Sequence, residues 1–168
     1  MKIHAPADAI VSFRDEHFFL SNMFPCPLVV WGENFATSEH AYQCAKFRAG
    51  EFRDRVKGAN TPKSAKWLAR RLGGQHRLDG HAERRFDIML EIIRAKFSSH
   101  EMAQRLLATG DRLLIEGNTW GDRRWGCVQA KDGSWRGKNW LGEILMQVRS
   151  ELREAAQNRT YGSTHAAK

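Results

Sequence analysis

Two short segments of this 168-residue chain carry side chains able to do chemistry. In Thr37-Ser-Glu-His-Ala-Tyr-Gln-Cys-Ala-Lys46 a helical register places Glu39, Gln43 and Lys46 at i, i+4 and i+7, with Tyr42 alongside. A core helix would show large aliphatics on one side. This one shows a carboxylate, an amide, an amine and a phenol, opposite the small Ala41, Cys44 and Ala45. A carboxylate can move protons or stabilise developing positive charge, and a lysine amine can form an imine. The competing reading is a solvated face on which a Glu/Lys pair contributes a few tenths of a kcal/mol, with Glu39 complementing the helix dipole.

The second segment is Gly117-Asn-Thr-Trp-Gly-Asp-Arg-Arg-Trp-Gly126. It sets two indoles, Trp120 and Trp125, around the carboxylate of Asp122 on a loop with three glycines. An indole offers a flat face to a heterocycle, and glycine lets backbone approach a ligand closely. Tryptophans buried in a core are the alternative. Glu116 ends the apolar pattern just before the loop, either as a buried ion-pair partner or as a site carboxylate.

The elements that must position these groups are mostly helical. Caps and periodicity predict helices over 39–49, stopping at Gly50, over 51–56, and from Thr61-Pro62 to 72, ending at Gly73-Gly74. Further helices are predicted over 82–97, 100–108 and 140–155. Short strands are predicted over 9–13 and 111–116, with a hairpin joining 28–31 to Phe35 through Gly-Glu-Asn. Residues 18–25 read as a loop, since Pro25 and Pro27 exclude a central strand. On the 111–116 strand, Leu114 and Glu116 would share one face, opposite Leu113 and Ile115. The class is α+β: a mainly helical single domain over 1–155 with a few short strands, and a disordered tail over 156–168.

Composition narrows the partners. Lysine and arginine number 27 against 19 acidic residues, a formal charge of +8, and 63–85 holds seven basic residues and two acidic ones. This suits a phosphorylated metabolite, a dinucleotide or nucleic acid, and charge alone does not choose. Three scattered cysteines and no His-x-x-x-His argue against disulfides and metal sites, and no cofactor is expected. No apolar run suits a membrane span and no secretory signal begins the chain, so a cytoplasmic location is expected.

Six motifs in order carry a resemblance: Phe19-Leu-Ser-Asn-Met-Phe-Pro25, Thr37-Ser-Glu-His-Ala-Tyr-Gln43 with Lys46, Ala95-Lys-Phe97, Leu107-Ala-Thr-Gly-Asp111, Asp122-Arg-Arg-Trp-Gly126 and Gly137-Lys-Asn-Trp-Leu-Gly142. Over residues 10–153 the chain resembles the NADAR (YbiA-like) family. The resemblance implies the YbiA-like α+β fold and an N-glycosidase that cleaves bonds to ribose. Its substrates would be ribosylamino-pyrimidine phosphates of early riboflavin synthesis, or ADP-ribose attached to guanine, including guanine in nucleic acid.

Carried over by motif, Glu39 and Asp122 would be the acid/base or charge-stabilising carboxylates, with Glu116 a further candidate. Lys46 would form an imine or meet phosphate. Trp120 or Trp125 would stack on the base beside Gly126, and Asn22 and Asn139 would bond ribose or base edges. Arg14 and Lys57 are candidates for phosphate. Many relatives have Arg-x-Asp-Trp before the long helix, whereas this chain has Arg77-Leu-Asp79-Gly80 and lacks that aromatic. The alternative from another class is a non-catalytic nucleotide-binding module, which has no need of carboxylates in its pocket.

Overall fold

Strong local signals start the helices, and the computed structural model, which describes residues 1–72 and 74–165, keeps them. The architecture is α+β, organised as two compact units, Arg14–Lys96 and Met1–Phe13 with the chain from Phe97 onward.

In the unit Arg14–Lys96, the segment expected as a loop begins as a 3-10 helix, Asp15–Leu20, which buries Phe19 and Leu20. A hairpin follows, β2 (Leu28–Val30) against β3 (Glu33–Phe35), with Leu28 opposite Phe35 and Val30 opposite Glu33. Its turn is Trp31-Gly32, one step earlier than the Gly-Glu-Asn expected, and both residues have positive φ (54° and 75°). Two positive φ values match the right-handed twist of the flanking strands. The Trp31 indole N–H donates to the Glu91 carboxylate, which holds the turn against the long helix below.

Helix α1 (Ser38–Cys44) is capped by Thr37, whose hydroxyl accepts from the His40 amide at 3.3 Å. It ends five residues before the expected 49. Lys46 and Phe47 donate to Gln43 and Cys44 in tight i−3 bonds, and the Lys46 carbonyl then accepts from Leu78 N–H at 2.8 Å. Tertiary pairing thus outcompetes continuation of the helix. Helices α2 (Glu51–Lys57), α3 (Pro62–Arg71) and α4 (His81–Lys96) complete the unit. Thr61 and Ser64 form a reciprocal capping box at the start of α3. Gly73, where that helix was expected to stop, lies outside the described residues. The core is Phe19, Leu20, Phe35, Phe47, Val56, Ala65, Ile92 and Ile93.

In the other unit, α5 (His100–Leu107) packs on α6 (Trp140–His165). The backbone of α6 continues ten residues past the expected 155, where the apolar stripe stops but no proline interrupts the hydrogen-bond ladder. Residues 166–168, in the expected tail, lie outside the described residues. The expected strands 9–13 and 111–116 shrink to a single parallel bridge, Ile10 with Leu114. Leu114 and its neighbour Ile115 are both fully buried, so the two-faced alternation expected for this segment is absent. The sheet forms instead from β1 (Lys2–Ile3), β5 (Trp135–Gly137) and β4 (Cys127–Gln129), antiparallel in that order. Its hairpin turn uses Gly133 at φ 77°, directly after Asp132.

Candidate active site

All seven residues of α1 are buried, the polar ones included. Glu39 is 5% exposed and Gln43 2%, so the solvated-face reading fails. The Gln43 amide bridges the other two groups: its Nε2–H donates to Glu39 Oε1 at 2.6 Å, and its Oε1 accepts from Lys46 Nζ at 2.6 Å. Only one orientation of an amide satisfies a carboxylate at one end and an amine at the other. Gln43 therefore holds the acid and the amine in fixed register. Lys66, reaching from α3, places its Nζ 4.0 Å from Glu39 Oε1.

Lys46 also lies over the Tyr42 ring, 4.7 Å from its centroid. Burial pushes its pKa down to about 8; the Glu39 charge opposes the shift, and Arg77, Lys66 and Arg85 add to it. A lysine so placed holds a substantial neutral, nucleophilic fraction near neutral pH. His81, at the start of α4, packs its ring against Tyr42 with centroids 5.7 Å apart. Desolvation first, then the charge of Lys46, pull its pKa down to about 4, so its imidazole is neutral.

Three buried polar atoms around this cluster have no hydrogen-bond partner among the described residues: Asn22 Oδ1, Ser38 Oγ and His81 Nε2. Buried polar atoms are nearly always paired in proteins, and exceptions concentrate where a ligand or water completes the set. The loop before α1 is built to present one of them. Asn22 accepts the Glu39 amide at its carbonyl (3.0 Å) and turns its Nδ2 to Met89 sulfur. The buried Lys96 ammonium donates to the neighbouring Ser21 carbonyl at 2.7 Å. His40 donates from Nε2 to the Ala59 carbonyl and meets Thr37 hydroxyl at Nδ1, which ties α1 to the loop before α3.

The second predicted segment lies in the other unit. Asp122 is an organiser of its loop: Oδ1 accepts from the amides of Arg124 (2.9 Å) and Trp125 (3.0 Å). Asn118 closes the turn from inside, donating from Nδ2 to the Asp122 carbonyl and accepting the Asp122 amide at Oδ1. Asn139 uses both ends of its amide on backbone, accepting from Glu116 N–H at 3.0 Å and donating to Leu114 carbonyl at 2.8 Å. It is a positioning residue by geometry. Gly126 is required by close approach, because a Cβ there would overlap the Glu116 carbonyl. The first amides of α6 donate to carbonyls of this loop, Trp140 to Arg124 and Leu141 to Trp125.

Of the two indoles, Trp125 is half-buried and packs edge-on to Trp140 at 5.6 Å, whereas Trp120 is 61% exposed. Arg14 is an exposed residue at the start of the 3-10 helix. Lys57 is taken up with Arg53 in ion pairs to Glu33, whose carboxyl Arg53 above all, then Lys57, hold down at about 2.

The structure thus assembles Glu39, Gln43, Tyr42 and Lys46 in one unit, and Glu116, Asp122, Trp125, Gly126 and Asn139 around one loop of the other. His81 and Lys66 were not foreseen as site residues. Lys66 was legible only as part of a basic run, and His81 stands just before the helix expected from 82. Among the described residues no group of three or more His, Cys, Asp or Glu side chains is placed to hold a metal ion, and no helix is long and apolar enough to cross a membrane.

The loop role of Asp122 has a direct test. Asp122→Ala is expected to cost about 2 kcal/mol through two lost charge-assisted bonds, read in urea melts. Asp122→Asn keeps the Oδ1 acceptor and is expected to recover most of that loss. Equal destabilisation by both would show that the charge, rather than the acceptor, matters.

The family model of the NADAR domain matches residues 11–153, and the chain belongs to this family of N-glycosidases. It is 32% identical over 153 residues to N-glycosidase YbiA of Escherichia coli, covering 89% of this chain and 92% of that protein. A riboflavin biosynthesis protein of Vibrio vulnificus is 38% identical over 143 residues; these cover 84% of this chain but 37% of that longer protein. The solution structure of E. coli YbiA superposes with a TM-score of 0.75 at 30% identity, covering 92% of this chain and 90% of that one. The fold is therefore the YbiA fold.

Proposed function

We propose that this protein hydrolyses the N-glycosidic bond between ribose 5-phosphate and the exocyclic amine of a pyrimidine intermediate of riboflavin biosynthesis. The observation that carries the reading is the Glu39–Gln43–Lys46 chain, in which one amide holds a buried carboxylate at one end and a half-buried amine at the other. A ribosylamine opens to an imine at C1. The neutral Lys46 amine adds to C1, and proton transfer through Glu39 releases the heterocyclic amine, leaving an imine between C1 and Lys46. Water then adds to C1, and its collapse frees the sugar aldehyde and returns the amine. One water is consumed, and the products are ribose 5-phosphate and the aminopyrimidine. Direct attack of water on an oxocarbenium-like C1, with Glu39 as base, is the competing route. Asp122 serves in this reading as the carboxylate that keeps its loop in shape.

The names of the E. coli and V. vulnificus relatives support both the reaction and the substrate class. A second reading, removal of ADP-ribose from guanine in nucleic acid, draws on α3. That helix exposes Trp67 (56%) with Lys63, Arg70 and Arg71 at i−4, i+3 and i+4, a stacking ring among cations. Incubation with each substrate decides. Ribose 5-phosphate is expected to be released with a kcat/KM at least about tenfold above that for ADP-ribose from modified guanine. The reverse ratio transfers the function to the second reading, and no release from either overturns both.

A further inference from the structure

A cavity of about 550 Å³ opens beside the candidate active site, lined by Arg48, Phe52, Arg55, His76 and Arg77 among others. Its link to Lys46 is covalent and hydrogen-bonded. Phe47 bridges to Arg77 through backbone, and Leu78 N–H donates to the Lys46 carbonyl. Lys46 and Arg48 flank the bridged Phe47, two residues apart, a separation of at most about 7 Å. That is the scale of a pentose.

The charge of the cavity is not compensated internally. Arg53, on its wall, is neutralised by Glu33, but Arg48, Arg55 and Arg77 make no ion pair among the described residues. Against the single carboxylate of Glu51 in the lining, these three guanidiniums leave an excess of two positive charges. A phosphate monoester near neutral pH carries between one and a half and two negative charges. Guanidinium forks suit its oxygens better than point charges do. One wall is closed by the His76 ring stacked on Phe52, centroids 4.7 Å apart and 11° from parallel, with Phe52 set edge-on to Phe47. A further basic cavity, lined by Lys2, Arg123, Arg136 and Lys138, differs in one respect. There Lys2 and Arg136 both pair with Asp132, at 3.0 and 3.3 Å.

We propose that the cavity of Arg48, Arg55 and Arg77 is a phosphomonoester subsite that seats the 5-phosphate of a ribosyl substrate while its C1 faces Lys46. The inference rests on the glycosidase reading for its substrate but not for its ligand chemistry. It assigns phosphate recognition to these arginines rather than to Arg14 or Lys57, and it explains why two arginines flank the segment that carries the lysine.

The test is a calorimetric and ¹⁵N NMR titration of the full chain with ribose 5-phosphate, ribose and ADP-ribose. Ribose 5-phosphate is expected to bind and to shift amides at 48–53 and 76–78, with ribose at least tenfold weaker. Arg48→Gln with Arg77→Gln, both at exposed side chains, is expected to weaken ribose 5-phosphate at least tenfold. It should also narrow the KM gap between phosphorylated and unphosphorylated ribosylamines. Unchanged affinity in that double variant, shifts centred on Arg123 and Lys138, absence of binding, or an effect confined to ADP-ribose would each overturn the subsite. If ribose 5-phosphate binds here but no ribosylamine is turned over, the glycosidase reading fails and the subsite stands. Turnover indifferent to the double variant has the opposite meaning.

Discussion

Glu39→Gln is expected to reduce kcat by about 10³-fold, the scale of a lost general acid–base, while ribose 5-phosphate binding stays within a factor of three of the wild type. The substitution is nearly isosteric. Gln43 Nε2–H keeps an acceptor at the new amide oxygen, so the contact that orders the relay survives. The Thr37 cap and the amide bond to Asn22 involve backbone at this end of α1 and are untouched. What disappears is the proton-carrying oxygen and the negative charge that faces Lys66. Calorimetry and single-turnover product release measure the two quantities. A variant that retains wild-type turnover removes Glu39 from the chemistry.

That expectation was half legible in the sequence. The i, i+4 spacing of Glu39 and Gln43 gave their shared face, because helical geometry is local, whereas Lys46 joins them from the turn after α1 by bonding back to Gln43. The spacing did not give burial, which depends on α2, α3 and α4 packing over a helix too short to supply its own core. For the same reason the end of α1 was misplaced: the pairing of residues 46–47 with 77–78 is invisible to any window of the sequence. Lys66 and His81 join the cluster through tertiary contacts from separate helices, and neither carries a spacing signal.

The loop of the other unit divides similarly. Its glycines and aromatics advertise a special backbone, and Gly126 is indeed forced by the Glu116 carbonyl. The engagement of Asp122 and Asn139 by backbone amides and carbonyls appears only in three dimensions. The unforeseen β4–β5 hairpin had a local signal in Asp132-Gly133 flanked by short alternating segments. The strands expected at 9–13 and 111–116 meet only at Ile10, which bonds across Leu114 to Leu113 and Ile115, a pairing too short to extend into a ladder.

The imine route makes the larger claim, and Lys46 decides it. Reduction with cyanoborohydride during turnover is expected to leave ribose 5-phosphate attached to Lys46, located by peptide mass mapping. In the same preparations, kcat/KM is expected to rise with pH and level off with an apparent pKa near 8, the value to which burial lowers this amine. The sign of the stability effect follows from the same shift. The folded pKa lies below the ordinary lysine value of 10.5. Between pH 8 and 10.5 the unfolded chain therefore holds a proton that the folded chain has released, and stability rises with pH through that window. Below pH 8 both states are protonated, and the half-buried, partly desolvated ammonium opposes folding. Lys46→Met is expected to abolish trapping and turnover together and to flatten the rise in urea-melt stability between pH 8 and 10.5. Its cost elsewhere is limited to the donor lost by Gln43 Oε1, about 1 kcal/mol. If the lysine is never trapped and the rate profile lacks an inflection near pH 8, water attacks C1 directly under Glu39. The amine then acts through its charge alone, and Lys46→Arg should retain much of the rate that the imine route would forbid.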